Sequence, residues 1–169
     1  MNVREAIYNR RSVREFLDKE ISDDIIKELL KDAMAAPSAC NKKAWEFYVI
    51  KNKEKQEELK KAIRYGDYNS PLIIIVAGNN ELSLTKDSDD YWVQDCSAAI
   101  ENILLSALEF GLGTCWCGLM PVVRRAERVK KILNLSDNIV PLGMLHIGYP
   151  KKNMDGRTQY DEEKVHYVN

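Results

Sequence analysis

The spacing of apolar residues predicts five helices along this chain of 169 residues. Val3, Ala6 and Ile7 share one helix face, because residues three and four positions apart lie side by side on a helix. The segment from Ser22 to Pro37 has a serine at the N-cap position, acids in its first turn and a closing proline, which predicts a capped helix. The other three helices are predicted over residues 53–64, 90–110 and 123–133.

The widest apolar stripe of the chain lies between Asp90 and Phe110. Gly111 follows at the position where a glycine commonly ends a helix, because glycine adopts the left-handed backbone conformation at little cost. We therefore predict that this segment is the central core helix.

Apolar runs without helical spacing predict four strands. The run over 71–78 is apolar on consecutive positions and rich in β-branched residues, which is typical of a buried strand. Helices grouped between strands indicate an α+β fold of mixed α/β layers, and the absence of repeats or linkers predicts one domain over 1–169. The other strands are predicted over residues 45–50, 114–120 and 142–150.

The last segment, residues 151–169, is polar but ends in a small apolar stretch over 165–168. A tail of this length and composition predicts a surface on which it docks.

Charge and hydropathy exclude several classes of protein. The 25 Lys and Arg residues nearly balance 26 Asp and Glu residues, so the net charge of −1 favours neither nucleic acid nor a membrane surface as partner. The apolar runs are too short to cross a bilayer, and Met1 leads into charged residues rather than an apolar signal segment. We expect a cytoplasmic protein.

The four cysteines lack the paired spacing of a zinc site and the density of a secreted disulfide scaffold, so we expect free thiols. Cys115 and Cys117 lie on the same face of a predicted strand. A redox-active pair is one interpretation of that spacing. Two small apolar residues in a strand is the interpretation that we favour.

Other common catalytic motifs are missing. His146 and His166 have no acid or cysteine at ligand spacing, so we predict neither a metal site nor a Ser/His/Asp triad. The glycines of "GLGTCWCG" lack the order of a dinucleotide-binding fingerprint, and no strand is followed by a P-loop. A phosphate ligand would therefore need another kind of site.

The stretch "YNRRSVREF" offers such a site, because it places three arginines and a serine within five positions. Arg10, Arg11 and Arg14 supply forked, permanently charged donors suited to phosphate, and Ser12 adds a neutral donor. The alternative is a basic surface in contact with solvent.

Together, "RRSVREF" and "APSACNKKAWEFYVI" resemble the nitroreductase family of FMN-dependent oxidoreductases. "EFGLGTCWCG" and "LHIGYP" match later landmarks of that family in the same order. The resemblance implies a central mixed sheet flanked by helices and a homodimer with two flavin sites at its interface. It also implies that the tail, residues 151–169, wraps over the partner subunit.

The resemblance assigns the arginine segment to FMN. It implies that Arg10 binds the phosphate and that Arg11 and Ser12 lie along the phosphate and ribityl chain. Arg14 is placed near the N1/O2 edge of the ring, where a fixed cation stabilises the negative charge of the reduced flavin.

Three further segments are implied to contact the flavin. Cys117 and Gly118 fall where backbone N–H groups meet N5 and O4, and glycine lets the ring approach closely. Arg157 takes the place of the tail cation that completes the phosphate pocket, with Lys151 and Lys152 as alternatives. The partner subunit is implied to contribute Pro37, Ser38, Ala39 and Asn41.

The implied activity is transfer of hydride from NADH or NADPH to flavin N5, followed by reduction of a nitroaromatic, quinone or similar acceptor in ping-pong order. Two alternatives stay open. One is reductive dehalogenation or flavin fragmentation on the same fold, and the other is a non-enzymatic dimer that binds a flavin or another anion.

The sequence departs from the family pattern in a few places. Lys43 and Ala44 replace a common Gln-Pro pair, and Cys117 replaces a glutamate found in some relatives. Larger members insert helices over the site where this chain has only a polar loop over 79–89, so we expect an open and permissive active site.

Overall fold

The computed structural model describes residues 1–63, 65–84 and 91–168. The predicted helix start at Asp90 and the last part of the polar loop, residues 85–89, lie outside the described residues. The described helices are α1 (Val3–Asn9), α2 (Asp23–Met34), α3 (Lys53–Ala62), α4 (Tyr91–Ser106) and α5 (Val123–Leu133). The strands are β1 (Trp45–Ile50), β2 (Leu72–Asn79), β3 (Gly113–Gly118) and β4 (Ile139–Gly148), with 3-10 turns at Ala39–Asn41, Ala107–Phe110 and Glu162–Lys164.

The four strands form one sheet in the order β1-β2-β4-β3. Side chains alternate along β2, so Ile74 and Val76 pack with α2 and α4 while Ile73 and Ile75 pack with α3 and α5. Helices therefore cover both faces, which confirms the α+β layer fold. One detail differs from the mixed sheet that the resemblance implies: all three strand pairs are antiparallel.

The predicted core helix ends as expected, at Gly111, whose φ of 67° places it in the left-handed region. Its last turn, Ala107–Phe110, tightens into a 3-10 helix. Strand β3 ends at Gly118, earlier than predicted. The chain beyond it turns toward Pro121, which has no N–H to extend the ladder.

Helix α1 and the tail form a surface rich in exposed apolar side chains. Helix α1 buries none of its residues, and Val3 is 75% exposed. The tail touches the end of this helix, because the Arg157 N–H donates to the Tyr8 carbonyl oxygen at 2.9 Å. Beyond that point Tyr167 is 84% exposed.

No described helix has the length and apolar character that crossing a membrane would require. The cytoplasmic location stays a prediction.

Candidate active site

The arginine segment lies extended along the free edge of β3. Ser12 and Thr114 form an isolated parallel bridge, and the Val13 N–H donates to the Thr114 carbonyl oxygen at 2.9 Å. Gly113 makes this contact possible, because a Cβ there would lie 2.6 Å from a methyl group of Val13. The segment is thus fixed in place by backbone pairing and close packing.

Phe16 anchors the far end of the same segment. Its side chain is fully buried, and its backbone is held from both sides by Asn69. The Phe16 N–H donates to Asn69 Oδ1 at 3.2 Å, and Asn69 Nδ2 donates to the Phe16 carbonyl oxygen at 2.8 Å. The arginines between α1 and Phe16 therefore project from a rigid backbone.

Arg10 and Arg11 lie at the outer end of the segment, against the tail. Arg10 Nε lies 3.7 Å from Glu101 Oε1, and Arg11 donates to the Asp155 carbonyl oxygen at 2.6 Å. Burial raises the pKa of Glu101, and the charge of Arg10 partly offsets that effect. Both arginines line a cavity of about 420 Å³, together with Lys152.

Arg14 lies at the inner end, where the surroundings differ. It donates to the Ser12 carbonyl oxygen at 3.3 Å, and a hydrogen bond with the Tyr68 hydroxyl raises the pKa of Arg14. The Tyr68 ring packs edge-on against His146, with 5.1 Å between ring centroids. Arg14 and Tyr68 line a cavity of about 230 Å³ that also includes Gly118.

Cys115 and Cys117 belong to the buried core below this cavity, and all four cysteines of the chain are free thiols, as predicted. The hydrogen bond from Cys117, together with the charge of Arg14 and a hydrogen bond from Tyr68, lowers the pKa of Cys115 to about 7. The same pairing and burial raise the pKa of Cys117. A negative charge on the pair is thus stabilised beside Arg14.

Gly118 leaves open space above the strand. A Cβ at this position would meet only the Met120 carbonyl oxygen, at 3.5 Å. At Gly143 on the neighbouring strand, by contrast, a Cβ would collide with the Trp116 indole. A flat ligand could therefore rest over Gly118 without displacing a side chain.

The loop over residues 37–41 is rigid but lies apart from these groups. Its Ala39 N–H donates to Asp95 Oδ1 at 2.8 Å, and Ser38 Oγ accepts from the Lys43 N–H at 3.0 Å. Cys40 and Asn41 both have positive φ, at 49° and 55°. Among the described residues, no hydrogen bond or ion pair joins this loop to residues 10–14 or 117–118.

The structure therefore sorts the predicted site residues into four groups. Arg14, Cys117 and Gly118 share one cavity, and Arg10 and Arg11 share another. Ser12 lines a third cavity of about 290 Å³, which shares Arg14 with the first and Lys152 with the second. Pro37, Ser38, Ala39 and Asn41 form the fourth group and line none of these cavities.

Sequence reasoning missed several residues that shape the site. Tyr68 gave no signal, because it lies in an irregular loop and reaches Arg14 only through the fold. Asp95 did leave a signal, since it is an acid on the buried face of α4. Such a carboxylate needs donors, and it finds one in the backbone of the 37–41 loop.

A comparison with protein families shows which family has this fold and arrangement of residues. The sequence model described as "Nitroreductase family" matches residues 7–66 and 63–149. This chain belongs to the nitroreductase family. A relative from Methanothermobacter thermautotrophicus, with a suggested NADH dehydrogenase/NAD(P)H nitroreductase activity, is 35% identical over 98% of this chain and 86% of its own length.

Solved structures show the same nitroreductase fold. A protein from Parabacteroides distasonis with a suggested NADH dehydrogenase/NAD(P)H nitroreductase activity is 31% identical, with a TM-score of 0.92 covering 99% of this chain and 98% of that one. A protein from Desulfovibrio desulfuricans with a suggested nitroreductase activity, solved in complex with FMN, is 26% identical. Its TM-score is 0.87, covering 99% of this chain and 96% of that one.

Proposed function

We propose that this protein is an FMN-dependent NAD(P)H oxidoreductase that reduces nitroaromatic, quinone or similar acceptors in ping-pong order. The chain belongs to the nitroreductase family, and the names of similar proteins associate them with FMN and NAD(P)H. The observation that carries the assignment is the open space over Gly118, in one cavity with Arg14. That space suits a planar ring with a cation at its edge.

The outer end of the arginine segment suits the FMN phosphate. Arg10 and Arg11 are permanently charged fork-shaped donors, and Ser12 adds a hydroxyl nearby. The pairing of Arg10 with Glu101 is long, at 3.7 Å, and both side chains are partly exposed, so a phosphate can replace the carboxylate.

Lys152 is the tail cation that we assign to the phosphate. It lines both cavities next to the arginine segment, whereas Lys151 and Arg157 are not among the described residues that line them. The backbone of Arg157 is held on Tyr8 at the end of α1. This assignment replaces the preference for Arg157 that the family resemblance implies.

The inner end of the segment suits the flavin ring. Bound FMN supplies the hydride chemistry that the side chains lack. Arg14 would provide positive charge at the N1/O2 edge of a bound ring, and the backbone N–H groups of Cys117 and Gly118 are the donors that the resemblance assigns to N5 and O4. NAD(P)H and the acceptor use the same open face in turn.

A homodimer completes this proposal. Pro37, Ser38, Ala39 and Asn41 then reach the partner's flavin, since their loop is preformed and lines none of the cavities around the arginine segment of its own chain. The exposed apolar residues of α1 and the tail supply contact area for a partner. The protein is then one domain over 1–169 whose tail, residues 151–169, packs on the partner.

The test begins with flavin content and anaerobic reduction. The purified protein should be yellow, retain FMN on dialysis and be bleached by NADH or NADPH, then reoxidised by nitroaromatics or quinones. Reoxidation only by halogenated phenols, with release of halide, would favour dehalogenation. A colourless protein that takes up no FMN would contradict the proposal and favour a non-enzymatic anion-binding dimer.

The dimer has its own test. Light scattering at micromolar concentration should give twice the mass of the chain, and a variant forced to be monomeric should lose FMN. A monomer that keeps its flavin would contradict the shared site.

A further inference from the structure

Helix α5 begins with a second group of arginines that the proposed flavin site does not use. Arg124, Arg125 and Arg128 line a cavity of about 240 Å³ together with Ala62 and Tyr65. We call it the arginine cavity. It adjoins the cavity over Gly118, because both are lined by Tyr65 and Arg125.

The charge of the arginine cavity is not balanced within the described part of the chain. None of its three guanidinium groups forms an ion pair with a described carboxylate. Arg125 donates to the Gly118 carbonyl oxygen at 3.1 Å and Arg128 donates to the Ala62 carbonyl oxygen at 3.3 Å, which fixes both side chains at the cavity wall.

Each of these guanidinium groups has further donors available, since arginine carries five N–H bonds. Three like charges that converge on one cavity repel each other, and an anion would relieve that repulsion. Phosphate is the anion that matches several forked donors best. The cavity thus points to a phosphate ligand whose remaining part extends toward Gly118.

We propose that the arginine cavity binds a phosphate group of the nicotinamide dinucleotide while the nicotinamide lies over the flavin. This inference rests on the proposed function, because it takes NAD(P)H as the reductant. Nitroaromatic and quinone acceptors carry no phosphate, so the cavity distinguishes the reductant from the acceptor at a shared face. The group is either the pyrophosphate, common to NADH and NADPH, or the 2′-phosphate of NADPH.

Binding of ADP-ribose and 2′-phospho-ADP-ribose, measured by calorimetry on the FMN-loaded protein, tests the proposal without turnover. Arg124→Ala should weaken binding of at least one fragment by roughly 10-fold, and Arg124→Ala combined with Arg128→Ala by roughly 100-fold. Lys131→Ala is the matched control. It removes one positive charge from the exposed part of the same helix, outside the cavity, and should change binding less than about 2-fold.

The same variants in anaerobic stopped-flow reduction identify the phosphate. A higher Kd for NADPH alone assigns the 2′-phosphate, and equal increases for NADH and NADPH assign the pyrophosphate, with the limiting reduction rate unchanged in each case. Arg124→Ala combined with Arg128→Lys should retain part of the affinity that the double alanine variant loses, which would show that the loss is not a folding defect.

Two results would overturn the inference. One is a wild-type protein that binds neither fragment, and the other is an arginine variant that binds both as tightly as Lys131→Ala does. Failure of the proposed function would give a different experimental result. In that case FMN is absent or is not reduced by either dinucleotide, while fragment binding to the arginine cavity can still be measured on the protein as purified.

Discussion

Arg10 and Arg14 lie on one extended segment, yet their guanidinium groups meet different surroundings. Arg10 pairs at 3.7 Å with a half-exposed carboxylate, that of Glu101, and lines a cavity with residues of the tail. Arg14 instead hydrogen-bonds with Tyr68 and lies next to buried thiols. One arginine is positioned to exchange one anion for another, and the other is part of a network that reaches into the core.

This difference separates two properties of a flavoprotein. A cation at the phosphate contributes equally to binding of oxidised and reduced FMN, because the phosphate does not change during the reaction. A cation at the ring favours the reduced form, because negative charge develops there. Substitution of Arg10 should therefore change the affinity for FMN, whereas substitution of Arg14 should change the balance between oxidised and reduced FMN.

His146 packs on Tyr68 at the inner end of the arginine segment and makes the stability of this region depend on pH. Burial and the charge of Lys60 lower the pKa of His146 to about 4, from 6.5. The unfolded chain thus binds a proton at His146 more readily than the folded chain does. The folded state therefore has its full stability above pH 6.5 and loses part of it as the pH falls toward 4. The loss amounts to about 3 kcal/mol.

Urea unfolding of the FMN-free protein between pH 7 and 4 measures this effect. His146→Asn keeps an amide donor near Ser70 but does not titrate, so its free energy of unfolding should fall less steeply with pH than that of the wild type. His166→Asn, at an exposed position, is the control and should follow the wild type. Parallel curves for His146→Asn and the wild type would contradict the prediction.

Arg10→Ala tests the proposed phosphate contact at the outer end of the arginine segment. Loss of one charge-assisted hydrogen bond should weaken FMN binding by about 1.5–3 kcal/mol, which is roughly 10- to 150-fold in Kd. Fluorescence titration of the flavin-free protein measures the change. Unchanged retention of FMN after dialysis would show that Arg10 binds no phosphate.

In the flavin-free protein, Arg14→Gln tests how the charge of Arg14 affects the pKa of the nearby thiol of Cys115. Because the charge of Arg14 helps to lower the pKa of Cys115, its removal should raise that pKa. The hydrogen bond with Cys117 remains, so the thiol should stay more acidic than an ordinary cysteine. Thiolate absorbance against pH gives the value, and Arg10→Ala, at the far end of the segment, should leave it unchanged.

The smallest effect is expected for Glu101→Gln. This change removes the carboxylate that pairs with Arg10 at the surface, so the arginine is freer for phosphate and FMN should bind slightly more tightly. Exposed pairs of this kind contribute about 0–1 kcal/mol. Weaker FMN binding in Glu101→Gln would mean that Glu101 orients Arg10 instead of competing for it.

The sequence predicted those features that depend on local pattern. Apolar spacing placed α2, α4 and the buried strand β2, and the motif resemblance selected Arg14, Cys117 and Gly118, which the fold brings into one cavity. The helix and strand predictions are confirmed, because neighbouring residues determine them. The flavin contacts of Arg14, Cys117 and Gly118 stay predictions.

Contacts between segments that are distant in the sequence could not be predicted from it. The antiparallel pairing of the sheet depends on how chain crossings pack, which no single segment encodes. Tyr68 meets Arg14 only because the loop before β2 folds over β3. The backbone of Asn41 takes a positive φ because Asp95 and Ser38 hold the loop, which requires α4 to be in place.

The central claim is that Arg14, and not Arg10, tunes the flavin. Spectroelectrochemical titration of Arg14→Gln and Arg10→Ala at saturating FMN tests it most directly. Loss of about 1.4 kcal/mol of selective stabilisation should lower the two-electron midpoint potential of Arg14→Gln by roughly 30 mV, while Arg10→Ala stays close to the wild type. An unchanged potential in Arg14→Gln, or an equal shift in both variants, would contradict the account.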